Sequence, residues 1–222
     1  MIRSTMFLAL PMLVAATPAL ASEDEQFWQT LTVGVALPDN FKLSNEVVTR
    51  SSNAKGLYEI EGNLMLGYKP SKVVTLWLGY THNPTYSHGD FRVMEHRVRQ
   101  QVSLDNFAQI GKVKFSGRVR LEERWREGQV GTAWRLRPNI KAVVPFVGKS
   151  TLSVNHESFI DLNTTGFQRV GGYERMRNWV AVSVPLDKKL SVEAGYLNQH
   201  GFVRGGTDSS DHVLTLAMTA SF

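Results

Sequence analysis

Apolar and polar side chains alternate with a period of two from Phe27 to Phe222, and this alternation constrains the fold more than any other feature. In a strand, successive side chains point to opposite faces, whereas a helical stripe repeats every 3.6 residues; no sustained helical period is present. Gly, Pro, Asn, Asp and Ser clusters punctuate the alternating runs, as turns between strands require. The clearest predicted strands cover residues 58–69, 73–83, 112–126, 133–146, 190–199 and 212–222, and weaker ones cover 27–37, 41–50, 91–103, 150–159 and 174–186.

The two faces differ sharply in chemistry. Over 112–126 one face carries Val113, Phe115, Gly117, Val119, Leu121 and Trp125, and the other carries Lys114, Ser116, Arg118, Arg120, Glu122, Arg124 and Arg126. The next run repeats the pattern, with Trp134, Leu136, Pro138, Ile140, Ala142, Val144 and Phe146 opposite Arg135, Arg137, Asn139 and Lys141. Many runs reach the roughly 9–11 residues of a tilted membrane strand, beyond the usual globular length of about 5–6.

A soluble barrel with its apolar face turned inward shows the same period. Three features favour a barrel in a membrane. Aromatics sit toward the ends of the apolar faces (Tyr58, Tyr68, Tyr80, Trp125, Trp134, Phe146, Tyr196), as interfacial girdles do. Connections alternate between short (69–72, 148–149, 187–189) and long (161–173, 201–211). The last run closes on Leu214, Leu216, Met218, Ala220 and Phe222 in strict alternation, a pattern resembling the signal read by outer-membrane assembly machinery. The mean hydropathy of −0.19 is too polar for a helical membrane protein, and beyond the first residues no apolar run approaches the roughly 18 a spanning helix needs.

Residues 1–21 read as a secretory signal peptide: Arg3 in the charged region, Met6 to Ala16 as the apolar stretch, and Ala19-Leu20-Ala21 as the cleavage signature before Ser22. Residues 22–222 are expected to form a single domain. Without Arg3, 24 Lys and Arg oppose 20 Asp and Glu, a net charge of +4. Cysteine is absent, which excludes disulfides, a lipid-carrying cysteine, iron–sulfur and cysteine–zinc chemistry, and a thiol nucleophile.

The fold expected is therefore all-β: an antiparallel up-and-down transmembrane barrel of 10–12 strands in the bacterial outer membrane. Eleven runs are visible, yet bacterial single-chain barrels have even numbers. Either the run at 27–37 is not a spanning strand, which leaves ten, or the region 161–173 hides a crossing, which makes twelve; the reading leans to twelve. The partners expected are outer-membrane lipid and the assembly machinery engaging the strand that ends at Phe222, with the chain a monomer.

The most distinctive stretch is Glu95-His96-Arg97-Val98-Arg99-Gln100-Gln101, followed by Arg118-Val119-Arg120-Leu121-Glu122-Glu123-Arg124-Trp125 and Trp134-Arg135-Leu136-Arg137. With Gly195 to Gln199 and the terminal aromatic strand, these resemble the barrel family known as domain of unknown function 2490, whose members show an EHR-x-x-QQ strand before an R-x-R-x-E-x-R strand. The sequence departs from that pattern at Arg99, where an aromatic is common, and at His156-Glu157-Ser158-Phe159, a reduced acidic motif. The resemblance implies an outer-membrane barrel and no established substrate.

Charge on the lipid face costs roughly 2–4 kcal/mol per Arg or Lys at mid-bilayer, so the charged faces belong inside. Glu95, Arg97, Gln101, Arg118, Arg120, Glu122, Arg124, Arg135 and Arg137 are expected to form a lumen network. Either it closes the lumen as an ion-paired plug, or its Arg excess lines a narrow anion-favouring pore. A lipid hydrolase built on Ser and His and a soluble periplasmic barrel holding an apolar ligand are the alternatives. Alternation sets Glu157 on the face opposite His156 and Ser158, which excludes that trio; His200 with Ser209 is the nearest pair for a nucleophile and base, and no catalytic residue is assigned. No cofactor or metal is expected, since the six His and the acidic residues lack ligand spacing. The basic residues alternate with apolar ones instead of clustering beside stacking aromatics, so no nucleic acid is expected.

Overall fold

The computed structural model describes residues 22–222; the leader expected at 1–21 lies outside the described residues. Each alternating run folds as a strand, in the order β1 (Ser22–Ala36), β2 (Phe41–Ser52), β3 (Gly56–Tyr68), β4 (Val74–Ser87), β5 (Asp90–Ile110), β6 (Val113–Arg126), β7 (Ala133–Pro145), β8 (Thr151–Asp161), β9 (Gly172–Pro185), β10 (Leu190–Gly201) and β11 (Ser209–Ser221). Consecutive strands pair antiparallel, and β1 closes the barrel against β11.

Eleven strands fall between the two even alternatives. The run at 27–37 is a true strand that starts five residues earlier, and 162–171 is a loop with no hidden crossing. The rule of even numbers assumes that every neighbouring pair is antiparallel. Here β1 and β11 run the same way, in register from Ser22↔Ser209 to Gly34↔Ser221, so alternation of direction demands an odd count. A parallel ladder is slightly weaker per residue than an antiparallel one. The inner wall behind this seam carries the barrel's main apolar cluster, in which Trp28 of β1, Val213 of β11 and Leu197 of β10 are buried with Trp179 of β9 packed against them.

Turn chemistry sets the hairpins. Asp39 and Asn40 take φ of 57° and 64°, and the Phe41 amide donates to the Pro38 carbonyl at 3.1 Å, so this tight turn has both central residues in the left-handed region that Asp and Asn tolerate. The gap between the predicted strands 73–83 and 91–103 shrinks to His88 and Gly89, both at positive φ, because β4 continues to Ser87. The loops 127–132, 162–171 and 202–208 lie at one rim together with the start of β1. The connections 37–40, 69–73, 111–112, 146–150 and 186–189 lie at the other.

The inside and the outside of the wall exchange the usual roles. Glu61, Glu95, Arg99, Glu122, Glu157 and Arg137 are buried within, whereas Leu78, Val154 and Leu214 lie outside, each more than half exposed. Large exposed apolar side chains occur on all eleven strands. One expected girdle residue is displaced: a β-bulge between Arg50 and Ser51 shifts the β2–β3 register and carries Tyr58 inward, where its hydroxyl donates to Gln26 Oε1 at 2.7 Å and accepts from the Trp28 indole at 2.9 Å. Val213→Ala, at a fully buried position on the seam, is expected to lower the urea midpoint of the purified barrel by the equivalent of about 2 kcal/mol. Leu214→Ala, one residue on and facing outward, should shift it by less than about 0.5 kcal/mol.

Candidate functional site

The inner wall from β3 to β8 carries a continuous chain of alternating charge. Glu157 on β8 accepts from Arg137 on β7 (Nη2 to Oε2, 3.0 Å), and Arg137 Nη1 also donates to Glu122 on β6 at 2.8 Å. Glu122 Oε1 takes a further bond from Arg99 Nε on β5 at 3.0 Å, and Arg99 Nη2 reaches Glu61 on β3 at 2.8 Å. Glu61 accepts from Arg97 Nη1 at 3.0 Å, and Arg97 Nε donates to Glu95 at 2.6 Å. Glu95 also receives two parallel bonds from Arg124, both 3.0 Å, and one from Arg126 at 2.5 Å. Guanidinium suits such a chain because its planar fork bonds two carboxylates at once.

Arg97 and Arg99 span from β5 to β3 only because the strand between them presents small inward side chains. The buried Thr81 and Asn83 of β4 leave a trough over which both guanidinium groups pass, while Met65 of β3 fills the place beside Gly79. Thr81 Oγ1 donates to Asn63 Oδ1 at 2.6 Å, and that amide oxygen also takes a bond from Arg99 Nη1.

The structure places Glu95, Arg97, Arg124, Arg135, Arg137 and Glu122 on the inner wall in ion pairs, with Arg135 Nε donating to Asp161 at 2.7 Å rather than into the main chain of charges. Arg118 is partly exposed and holds Glu157 at 2.6 Å. Arg120 differs. It is buried, no described carboxylate lies within 4.0 Å of it, and its Nε donates to Gln101 Oε1 at 2.7 Å. It faces two cavities, of about 260 and 90 Å³.

Sequence reasoning missed several members. Glu59, Glu61 and Asn63 share the inward parity of β3, so the same alternation rule could have found them. Glu157 was placed on the face away from His156 and Ser158, which is where it lies, yet its role in joining three arginines depends on strand neighbours that alternation cannot supply. Phe159 and Trp28 are inward aromatics that run against the charge-inside pattern. Phe159 lies under the guanidinium of Arg137 at 4.3 Å and that of Arg177 at 4.7 Å. Trp28 is held between Arg50 at 4.5 Å and Arg177 at 4.6 Å. Where cations exceed carboxylates, these ring faces supply the missing negative charge density.

The loop-bearing rim opens into two adjoining cavities. One of about 440 Å³ is lined by Glu23, Asp24, Lys55, Asp211 and Ser209, and one of about 320 Å³ by Arg97, Arg126, Arg135 and Phe159; both share Arg50, Arg175 and Arg177. Trp28 forms the floor of the larger one and the roof of the 260 Å³ cavity below it. Loop 162–171 folds over the cationic side, with Gln168 Oε1 accepting from Arg124 Nη1 at 3.1 Å and the Phe167 ring 4.9 Å from Arg126.

His200 and Ser209 do not pair. His200 Nε2 instead meets Asp208 at 3.2 Å, and the Val203 amide, donating at 2.9 Å, holds the Asp208 carboxyl below its ordinary range with help from His200. No group of three or more potential metal ligands occurs among the described residues.

Removing one partner from a buried ion pair leaves the other charge uncompensated, at a cost of about 3–5 kcal/mol. Glu122→Gln is therefore expected to lower the urea midpoint by that order. Arg120→Ala gives up one hydrogen bond and no ion pair, so its loss should stay near 1.5 kcal/mol or below.

A family model described as "Protein of unknown function (DUF2490)" matches residues 25–210. An uncharacterized protein of Methylorubrum extorquens strain AM1 is 29% identical over 227 residues, covering 97% of this chain and 97% of the relative.

Proposed function

The chain belongs to the DUF2490 family, and from that footing we propose that it is an outer-membrane barrel whose arginine-rich interior admits small anions through a narrow path. The observation that carries the membrane reading is the inversion of the wall: charged groups are enclosed, and large apolar side chains are exposed around the full circumference. Soluble monomers rarely expose a contiguous apolar patch beyond a few hundred Å². In water each such Leu or Phe forgoes about 1.5–3 kcal/mol of burial; against hydrocarbon that loss disappears. The closed ladder also leaves no unpaired sheet edge, as a strand-built membrane protein requires.

The long loops are read as facing outward and the short connections as facing the periplasm. Because the chain lacks cysteine, single thiols report this directly. In intact cells, Thr164→Cys in the long loop should react with a membrane-impermeant maleimide, and Lys188→Cys in the β9–β10 turn should react only after lysis. Equal labelling of both in intact cells, or recovery of the chain in the soluble fraction, would remove the membrane reading.

The charge chain packs the β3–β8 side of the lumen, so passage is left to the β9–β11 and β1 side. There the rim cavity leads past Trp28 to the cavity lined by Arg118 and Arg120. Cationic walls of low dielectric concentrate anions. In planar bilayers the protein should show small, anion-selective steps. Arg120→Glu should reverse or abolish the selectivity, and Trp28→Ala should enlarge the steps by joining the two cavities. Steps that are cation-selective, or unaffected by both substitutions, would argue against this path.

A further inference from the structure

The outer wall carries an arrangement that the lumen does not explain. On β8, alternation sets His156 and Ser158 two residues apart on the same outward face, and the β8–β9 register sets Asn178 opposite His156. The three side chains are connected. Asn178 Oδ1 lies 2.7 Å from His156 Nδ1, and His156 Nε2 lies 3.0 Å from Ser158 Oγ. The Tyr173 hydroxyl, at the start of β9, lies 2.9 Å from the same Oγ.

With the Asn178 amide oxygen facing Nδ1, one neutral tautomer of His156 fits. An amide oxygen can only accept, so Nδ1 must carry the imidazole hydrogen, which leaves the Nε2 lone pair to accept the Ser158 hydroxyl proton. That is the tautomer a general base needs beside a serine nucleophile, with a third group orienting the ring. Other outward histidines are built differently. His96 and His212 each meet a tyrosine hydroxyl through Nδ1, at 2.5 and 2.6 Å, and neither has an aliphatic hydroxyl on its other nitrogen. The trio is therefore more than one repeat of an aromatic–histidine belt.

We propose that Asn178, His156 and Ser158 form a serine hydrolase site on the outer wall, acting on the acyl esters of membrane lipids. The substrate class rests on the membrane reading given above and on the surroundings of Ser158. Ile140 is exposed opposite His156, and Val154 and Val180 are exposed on the side away from the rim, a surface for an acyl chain, while the Tyr173 and Phe202 rings meet at 5.2 Å, tilted by 54°, on the rim side. Ser158 lies three residues below the end of β8 at Asp161, about 10 Å of strand and about 7–8 Å of height at the tilt of a barrel strand, comparable with the roughly 5–7 Å polar layer of a bilayer leaflet.

In the first half-reaction Ser158 Oγ attacks the ester carbonyl carbon as His156 Nε2 takes its proton. The Tyr173 hydroxyl is placed to donate to the developing oxyanion. The bond from carbon to the alcohol oxygen then breaks, and His156 returns the proton to the departing lipid alcohol. Water, deprotonated by His156, attacks the acyl-serine, releasing the fatty acid and restoring the Ser158 hydroxyl. Ester and water become acid and alcohol, with no further reactant.

The test uses the full chain, purified in detergent and verified as folded by heat-modifiable migration on a gel. A fluorophosphonate probe is expected to label Ser158, identified by peptide mass spectrometry. Fatty-acid release is measured from phosphatidylethanolamine micelles in one arm and from lipopolysaccharide in another, which distinguishes the two sources of acyl ester. Ser158→Ala and His156→Ala should each lower release at least about 100-fold, and Tyr173→Phe should lower kcat with KM little changed. Folded protein that fractionates with membranes yet neither labels at Ser158 nor releases acid from either lipid overturns the hydrolase and leaves the membrane reading standing. Undiminished release by Ser158→Ala also overturns it. Recovery of the chain in the soluble fraction overturns the membrane reading, and the lipid substrate falls with it.

Discussion

A buried charge is tolerable only when another charge or dipole meets it, and the interior of this barrel is organised by that requirement. Glu157, Arg137, Glu122, Arg99, Glu61, Arg97 and Glu95 succeed one another in alternating sign across five strands, each held by at least one close hydrogen bond to the next. Most carboxylates of the chain meet more than one guanidinium, as Glu95 does with Arg97, Arg124 and Arg126 and Glu157 with Arg118 and Arg137. The small side chains of β4 follow from the same demand, since a bulky residue there would separate Arg97 and Arg99 from Glu61.

The two halves of the interior satisfy different needs. The β3–β8 half is polar and is bridged by the charge chain below its rim cavity, and its wall is entirely antiparallel. The other half contains the parallel seam, and the buttress behind it is apolar: Trp28, Val213, Leu197 and Trp179. Trp28 belongs to both halves. Its indole N–H is anchored by Gln26 and Tyr58, and its ring faces meet Arg50 and Arg177, so it marks the boundary between the packed side and the open cavities.

Much of this fold can be read from period-two alternation alone, because a strand side chain's face depends only on its parity. All eleven strands are legible in that way, whereas the loop before β9 is not, since its length invites a twelfth crossing. Nor is the direction of closure, since it depends on which strands meet at the seam and not on any strand's own pattern. Tyr58 escapes for a local reason: one extra residue at a bulge reverses parity, and no residue type there announces it. In the charge chain, the members on β5 to β7 stand out as runs of Arg and Glu, whereas Glu61 and Glu157 are isolated acids whose importance lies in their cross-strand neighbours. The same limit hides the trio on the outer wall. Parity correctly separates Glu157 from His156 and Ser158, but the group that completes them, Asn178, comes from β9 and is found only through register.

Because β1 and β11 run in the same direction, β1 begins at one rim and β11 ends at the other. The first residue of β1 and the last residue of β11 are separated by the full height of the wall, about 30 Å once the roughly 40° tilt of a 13-residue barrel strand is allowed for. A circular permutant of this barrel therefore cannot be made with the short linker that suffices for an even-stranded one. Its linker would have to traverse the lumen or the outer surface, and within the lumen it would compete with Trp28 and the arginines for space.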